Sequence, residues 1–166
     1  LIDDGLFAGI DAALLYHPCD RSHVASQPRA SEDVEVVFHG LQAHAAADPW
    51  KGKNALDAMI LLFSSVGLWR QQLRPDARVH GIIQEGGTAA NIIPDRTRAW
   101  FMLRSPDQPY YEEIKARFRT LVDAAALATD PTAEIAFRGG PMTMKPKPAL
   151  EAAWVFRPEL RARRGP

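Results

Sequence analysis

Between Ser31 and His39, Val34, Val36 and Phe38 alternate with Glu35, Val37 and His39, the period-two pattern of a strand with one face in a core. From Asn54 the period changes. Leu56, Met59, Ile60, Phe63 and Val66 recur at helical spacing, which predicts a helix capped by Asn54 and running to about Arg74, where Pro75 stops it. A second strand at about 77–85 sets Val79, Gly81 and Ile83 on one face, and a shaped loop follows from Gly86 to Pro94. Thr97, Ala99, Phe101 and Leu103 define one face of a third strand. Asp107 is a cap for a second helix, with Glu112 and Glu113 in its first turn and Tyr110, Ile114, Phe118, Leu121, Val122 and Ala125 as its buried stripe. Ala133, Ile135 and Phe137 mark a fourth strand at about 132–138. The order from 33 to 138 is βαββαβ. This predicts an α+β, ferredoxin-like fold: a four-stranded antiparallel sheet with two helices on one face. Its edge strand must be covered or kept polar, and pairing with a second copy is an economical solution.

The flanks read differently. Ile10 to His17 is a short apolar run of strand length without polar alternation, as expected of a strand buried on both faces. Residues 19–31 are polar and carry Pro28, the signature of a linker. The stretch from Arg157 to Pro166 is basic and proline-bearing, and its expected state is disordered. With no initiator Met, the chain reads as a fragment.

Composition narrows the function classes. The 166 residues contain 46% hydrophobic side chains, and 20 basic and 20 acidic residues cancel to +0. That balance leaves no global field for nucleic acid or an anionic membrane, and no apolar run approaches the roughly 18 residues of a span. Neither nucleic acid nor a membrane is an expected partner. The single cysteine, Cys19, has no disulfide partner in the chain and fits a reducing, cytoplasmic compartment.

Candidate chemistry lies in the irregular stretches. Phe38 to Pro49 carries His39 and His44 at the end of a strand, Asn91-Ile92-Ile93-Pro94 follows a double glycine, and Arg104 closes a strand. Each has a plain structural alternative. His44 caps a turn, Asn91 adopts a turn conformation, Arg104 is a solvated strand-end charge, and His39 is a surface or packing histidine. Trp50, Trp69 and Trp100 read as core or interface anchors, and Cys19 as inert.

In their order, Gly40-Leu41-Gln42-Ala43-His44-Ala45, Pro49, Gly52-Lys53-Asn54-Ala55-Leu56-Asp57-Ala58, His80-Gly81-Ile82-Ile83, Gly86-Gly87, Asn91-Ile92-Ile93-Pro94 and Arg104 resemble the lid, or dimerisation, domain of peptidase family M-twenty. Pro49-Trp50-Lys51-Gly52 and Trp69-Arg70-Gln71-Gln72 point within it to β-alanyl-lysine dipeptidases and to p-aminobenzoyl-glutamate hydrolases of the B type. The resemblance covers most of residues 5–140. It implies residues 1–30 as the end of a catalytic domain and its linker, 31–140 as the lid, and 141–166 as a returning catalytic segment, truncated or disordered.

The resemblance also implies the chemistry. The whole enzyme would be a metal-dependent amidohydrolase acting on an N-acyl amino acid or dipeptide-like amide. It would use a divalent metal, zinc being the expected one, and work as a homodimer. His17 matches a metal ligand at the end of an α/β metallohydrolase strand, and the remaining ligands and the general base lie outside the chain. His44 matches a histidine that reaches into the site of the other protomer and donates to the oxyanion, while Asn91 and Arg104 match substrate-binding residues, Arg104 for the carboxylate and Asn91 for the carbonyl or the carboxylate. The alternative class is a non-catalytic ferredoxin-like module that dimerises or binds an amino acid as a regulator; the flanking gene sequence separates the two.

Overall fold

The computed structural model of the chain describes residues 4–11, 13, 30–139 and 149. The chain divides into two compact units, Leu1–Ser26 with Pro146–Pro166, and Gln27–Lys145. The second unit contains β1 (Ala30–His39), β2 (Ala43–His44), α1 (Ala55–Trp69), β3 (Arg78–Glu85), β4 (Ile92–Ile93), β5 (Arg96–Ser105), α2 (Gln108–Thr129) and β6 (Thr132–Arg138). Four strands form one antiparallel sheet in the order β3-β5-β1-β6, and β2 pairs with β4 in a separate two-stranded piece. This is the ferredoxin-like arrangement, with β1 and β5 central and β3 and β6 at the edges.

Alternation decides which face meets the helices. Val34, Val36 and Phe38 of β1 and Thr97, Ala99, Phe101 and Leu103 of β5 are all buried under α1 and α2. Phe101 stacks between Phe63 and Phe118 at centroid distances of 4.8 and 5.0 Å, tying both helices to the central strand. Each helix begins at its expected cap. Asn54 Oδ1 accepts the Leu56 N–H at 2.9 Å and Asp107 Oδ1 accepts the Tyr110 N–H at 2.8 Å.

Three expectations change. The buried side of α1 is Ala55, Ala58, Met59, Leu62 and Val66, so Ile60 faces outward at 52% exposure and Phe63 is only partly buried. The helix gives way after Trp69 to a tight 3-10 turn over Arg70–Gln72 before Pro75 is reached. Glu112 and Glu113 fall beyond the first turn of α2, which starts at Gln108 and has no acidic residue there.

The other face of the sheet is polar and cross-linked. Glu85 meets both Arg96 and Arg98, and Glu35 meets Arg98 at 3.5 Å and Arg138 at 2.9 Å. Such exposed pairs add little individually, but they keep this face wet. One polar cluster is buried instead. Glu32 of β1 accepts a hydrogen bond from the Tyr111 hydroxyl and an ion pair from Lys115 Nζ at 2.9 Å, both on α2. Burial, followed by the bond to Glu32, pushes the Tyr111 phenol well above its ordinary value.

Candidate functional site

The short β2–β4 ladder creates the site. It sets Ala43 opposite Ile93 and His44 opposite Ile92, and the Ala45 N–H continues the pairing onto the Asn91 carbonyl at 3.0 Å. His44 and Asn91, far apart in sequence, thereby become neighbours on one exposed loop cluster. The loop from Leu41 to Lys53 is closed at its base by reciprocal backbone bonds between those two residues, each 2.9 Å. Glycine is required at that closure. A Cβ on Gly40 would overlap the Lys53 carbonyl oxygen, and one on Gly52 would lie 3.0 Å from Ala43 and from Ile93. The Gly40 N–H donates to Asp95 at 2.7 Å and the Ala55 N–H to Pro94 at 2.9 Å, so the end of the loop, the start of α1 and the start of β5 are knitted together. Buried Thr97 locks the same junction by donating to the Ala55 carbonyl at 2.9 Å.

His44 is oriented by its own loop. Its Nδ1 accepts the backbone N–H groups of Ala46 and Ala47, each at 3.2 Å. An Nδ1 that accepts twice carries no proton, so in the neutral ring the proton sits on Nε2, a donor open to the outside. The turn-capping role and a donor role therefore coexist in one side chain. The Asn91 amide is exposed beside it and makes no side-chain hydrogen bond among the described residues, so both its donor and its acceptor are free for a ligand.

Arg104 is elsewhere. It lies near the far end of β5, opposite Ser31 and Arg78, with its Nε on Met102 Sδ at 3.1 Å. A strand rises about 3.3 Å per residue, which places Arg104 roughly 26 Å from Arg96 and the His44 loop along the same strand. Its guanidinium has no carboxylate partner among the described residues, whereas Arg96, Arg98 and Arg138 each do. His39 is the last residue of β1, opposite Arg96 at the base of the loop, with Nε2 3.3 Å from Glu134 on the polar sheet face. A groove of about 580 Å³ between α1 and α2, bordered by Leu68, Trp69, Leu73, Tyr110 and Leu121, contains none of the candidate residues.

His17 lies outside the described residues. Among those described, no group of three or more His, Cys, Asp or Glu side chains could hold a metal ion, so they do not fit a zinc site. We expect equilibrium dialysis of the 166-residue chain to find no tightly held zinc, since His17 alone is one ligand of the three a tetrahedral site takes from protein. One tightly bound zinc per chain would overturn this.

The sheet order and the βαββαβ connectivity set the chain beside known proteins. Residues 29–130 match the family described as peptidase dimerisation domain, and the chain belongs to that family. Among curated proteins it is 38% identical over 135 residues to the Xaa-Arg dipeptidase of Mus musculus, covering 81% of this chain and 31% of that protein. It is 29% identical over 155 residues to the B-type polypeptide of p-aminobenzoyl-glutamate hydrolase from Escherichia coli, covering 92% and 32%. The chain thus spans about a third of the length of these relatives. In fold it is similar to the aminobenzoyl-glutamate utilization protein of Klebsiella pneumoniae, with a TM-score of 0.64 at 23% identity over 81% of this chain and 34% of that one. The hydantoinase/carbamoylase-family amidase of Burkholderia vietnamiensis gives 0.67 at 21% identity, over 78% and 32%.

The β2–β4 pairing is not legible in the sequence, where 86–94 has the character of a loop. Two residues per strand carry no period, and the only trace is the apolar pair Ile92-Ile93 inside an otherwise small and polar stretch. Of the two expectations for Trp50, core or interface anchor, its exposure rules out the core.

Proposed function

We propose that this domain is the lid of a homodimeric amide-bond hydrolase that acts on N-acyl amino acids or dipeptide-like substrates with a free carboxylate. The observation that carries the reading is the fixed His44 ring, its Nδ1 held by two backbone N–H groups so that Nε2 is left to donate beside Asn91. Such a donor suits the oxyanion that forms when water attacks an amide carbonyl. Arg104, a planar fork without a carboxylate partner among the described residues, suits the substrate carboxylate. The relatives are named for a dipeptidase and for a p-aminobenzoyl-glutamate hydrolase, and both names describe amide cleavage that releases an amino acid. The hydrolytic groups belong to the catalytic domain expected around this lid. A cytoplasmic setting rests on the single Cys19.

The geometry favours a site shared between two protomers. Within one lid, Arg104 and the His44 loop are a strand length apart, too far for one small substrate. Among the described residues strand β3 bonds only to β5, leaving its other edge without a strand partner there, and Ile82 and Ile83 on it are exposed, as are Ile60 and Leu68 of α1. Antiparallel pairing of two such edges brings Arg78 of each copy towards Glu85 of the other, opposite charges at both ends. The two β5 strands then run antiparallel, three strand spacings or about 14 Å apart, with the Arg104 end of one beside the His44 end of the other. The Arg104 side chain and a dipeptide-sized substrate together span that gap.

The test is complementation in the full-length enzyme. His44→Ala and Arg104→Ala proteins, each nearly inactive, are unfolded and refolded together at equal amounts. Statistical pairing gives half heterodimers with one intact site each, or about a quarter of wild-type activity. No recovery on mixing means that His44 and Arg104 do not meet across a dimer.

A further inference from the structure

Trp50 is the most exposed aromatic side chain among the described residues, at 74%, yet its backbone is tightly fixed. The His44 carbonyl accepts the Asp48 N–H at 3.1 Å, and a 3-10 turn over Pro49–Lys51 follows directly. That turn is closed by Lys51 N–H to Asp48 and Gly52 N–H to Pro49, both 3.1 Å, and by the Asp48–Lys51 ion pair at 3.3 Å. Gly52 then docks against Ala43 and Ile93, the strand pair that holds His44. Two rigid turns therefore hold the Trp50 backbone in a set position relative to the His44 ring. The indole makes no ring or cation contact within the described residues, and Leu41, at the base of the same loop, is exposed at 53%. Holding so large an apolar surface in water is unfavourable unless something covers it.

We propose that Trp50 is a specificity-determining residue: its indole forms the wall of the substrate subsite next to His44 and takes a planar group, aryl or guanidinium, face-on. This rests on the hydrolase reading above. An indole offers the strongest π face of any side chain to such a group, at the entropic cost of only two side-chain torsions. Any amide whose carbonyl reaches His44 Nε2 must carry its flanking group past the same short loop.

The full-length enzyme tests this with two matched substrates, N-benzoyl-glycine and N-cyclohexanecarbonyl-glycine, which are alike in size and differ in planarity. Trp50→Ala should lose about ten-fold in kcat/KM on the benzoyl amide, carried by KM, and about two-fold or less on the cyclohexyl amide, the size of one stacking contact. Trp50→Phe should recover most of the difference. Equal losses on both amides, or a dimer that falls apart in light scattering, would assign Trp50 to the interface between protomers and overturn the proposal. A wild-type enzyme that cleaves neither these amides nor any dipeptide overturns the hydrolase reading and Trp50 with it, and one that cleaves dipeptides but not the benzoyl amide overturns the Trp50 proposal alone. An active enzyme whose benzoyl preference survives Trp50→Ala overturns the Trp50 proposal alone.

Discussion

His44→Ala in the full-length enzyme is expected to lower kcat by roughly 10²–10³, the loss that follows removal of one oxyanion donor. KM should move little, because a donor aimed at the transition state adds little to binding of the ground state. The effect should stay local. The ring is exposed and its structural bonds are the two weak ones from Ala46 and Ala47, while the loop keeps its Leu41–Lys53 closure and its pairing with β4. Thermal stability and dimerisation should therefore be retained. His39→Ala is the control: its Nε2 is buried 3.3 Å from Glu134 without a hydrogen bond to it, and its replacement should leave kcat within about two-fold, since no strong contact is lost. His44→Gln keeps a donor but changes its reach and should fall between. Equal losses for His39→Ala and His44→Ala would return His44 to a purely turn-capping role.

The second large effect concerns stability. Glu32→Ala strands the Lys115 ammonium and the Tyr111 hydroxyl in the β1–α2 interface without their acceptor. Breaking a buried pair from one side costs about 3–5 kcal/mol. The lower end is expected here, since Lys115 is partly exposed and can turn to water along the Phe137 ring it now covers at 4.2 Å. Urea unfolding of the chain measures it. Glu32→Gln, which still accepts from Tyr111, should cost less than Glu32→Ala, and Glu32→Leu with Tyr111→Phe and Lys115→Met should regain most of the loss. An Ala variant as stable as wild type would show that the cluster contributes nothing net. The same cluster sets a pH dependence. The folded Tyr111 holds its proton more tightly than the unfolded one, so its contribution is complete below the unfolded value near 10 and declines as pH rises above it.

What the sequence makes legible follows the regularity of each element. β1 and β5 alternate strictly because one face is a core and the other is water, and their buried residues read directly. α1 is apolar around most of its circumference, with Leu56, Ile60, Leu61 and Leu68 outside the true core stripe, so its period points in more than one direction. Leu56 and Leu61 pack against the margin of the core, while Ile60 and Leu68 are exposed and belong to the dimer surface proposed above. At the site, single residues were legible through a motif and their arrangement only in part. The distance of Arg104 is implicit in the alternation from Thr97 to Leu103, which sets a strand between it and Asn91. Nothing in the order of the chain says that Ala45 bonds to Asn91, because that relation arises from a two-residue ladder that leaves no periodic trace.

The length of β5 has a consequence of its own. With the Asn91 loop leading into one end and Arg104 near the other, the strand would act as a ruler for the distance between the two halves of the shared site proposed above. Deleting one residue would turn Phe101 and Leu103 out of the core, and the fold would fail. Deleting two would keep the remaining side chains on their own faces, at the loss of one core residue, and draw Arg104 in by about 7 Å. If Arg104 and His44 share a substrate as proposed, the two ends would then no longer meet one of the same size. On that reading, outward positions of β5 other than Arg104 tolerate substitution better than the strand tolerates a change of length.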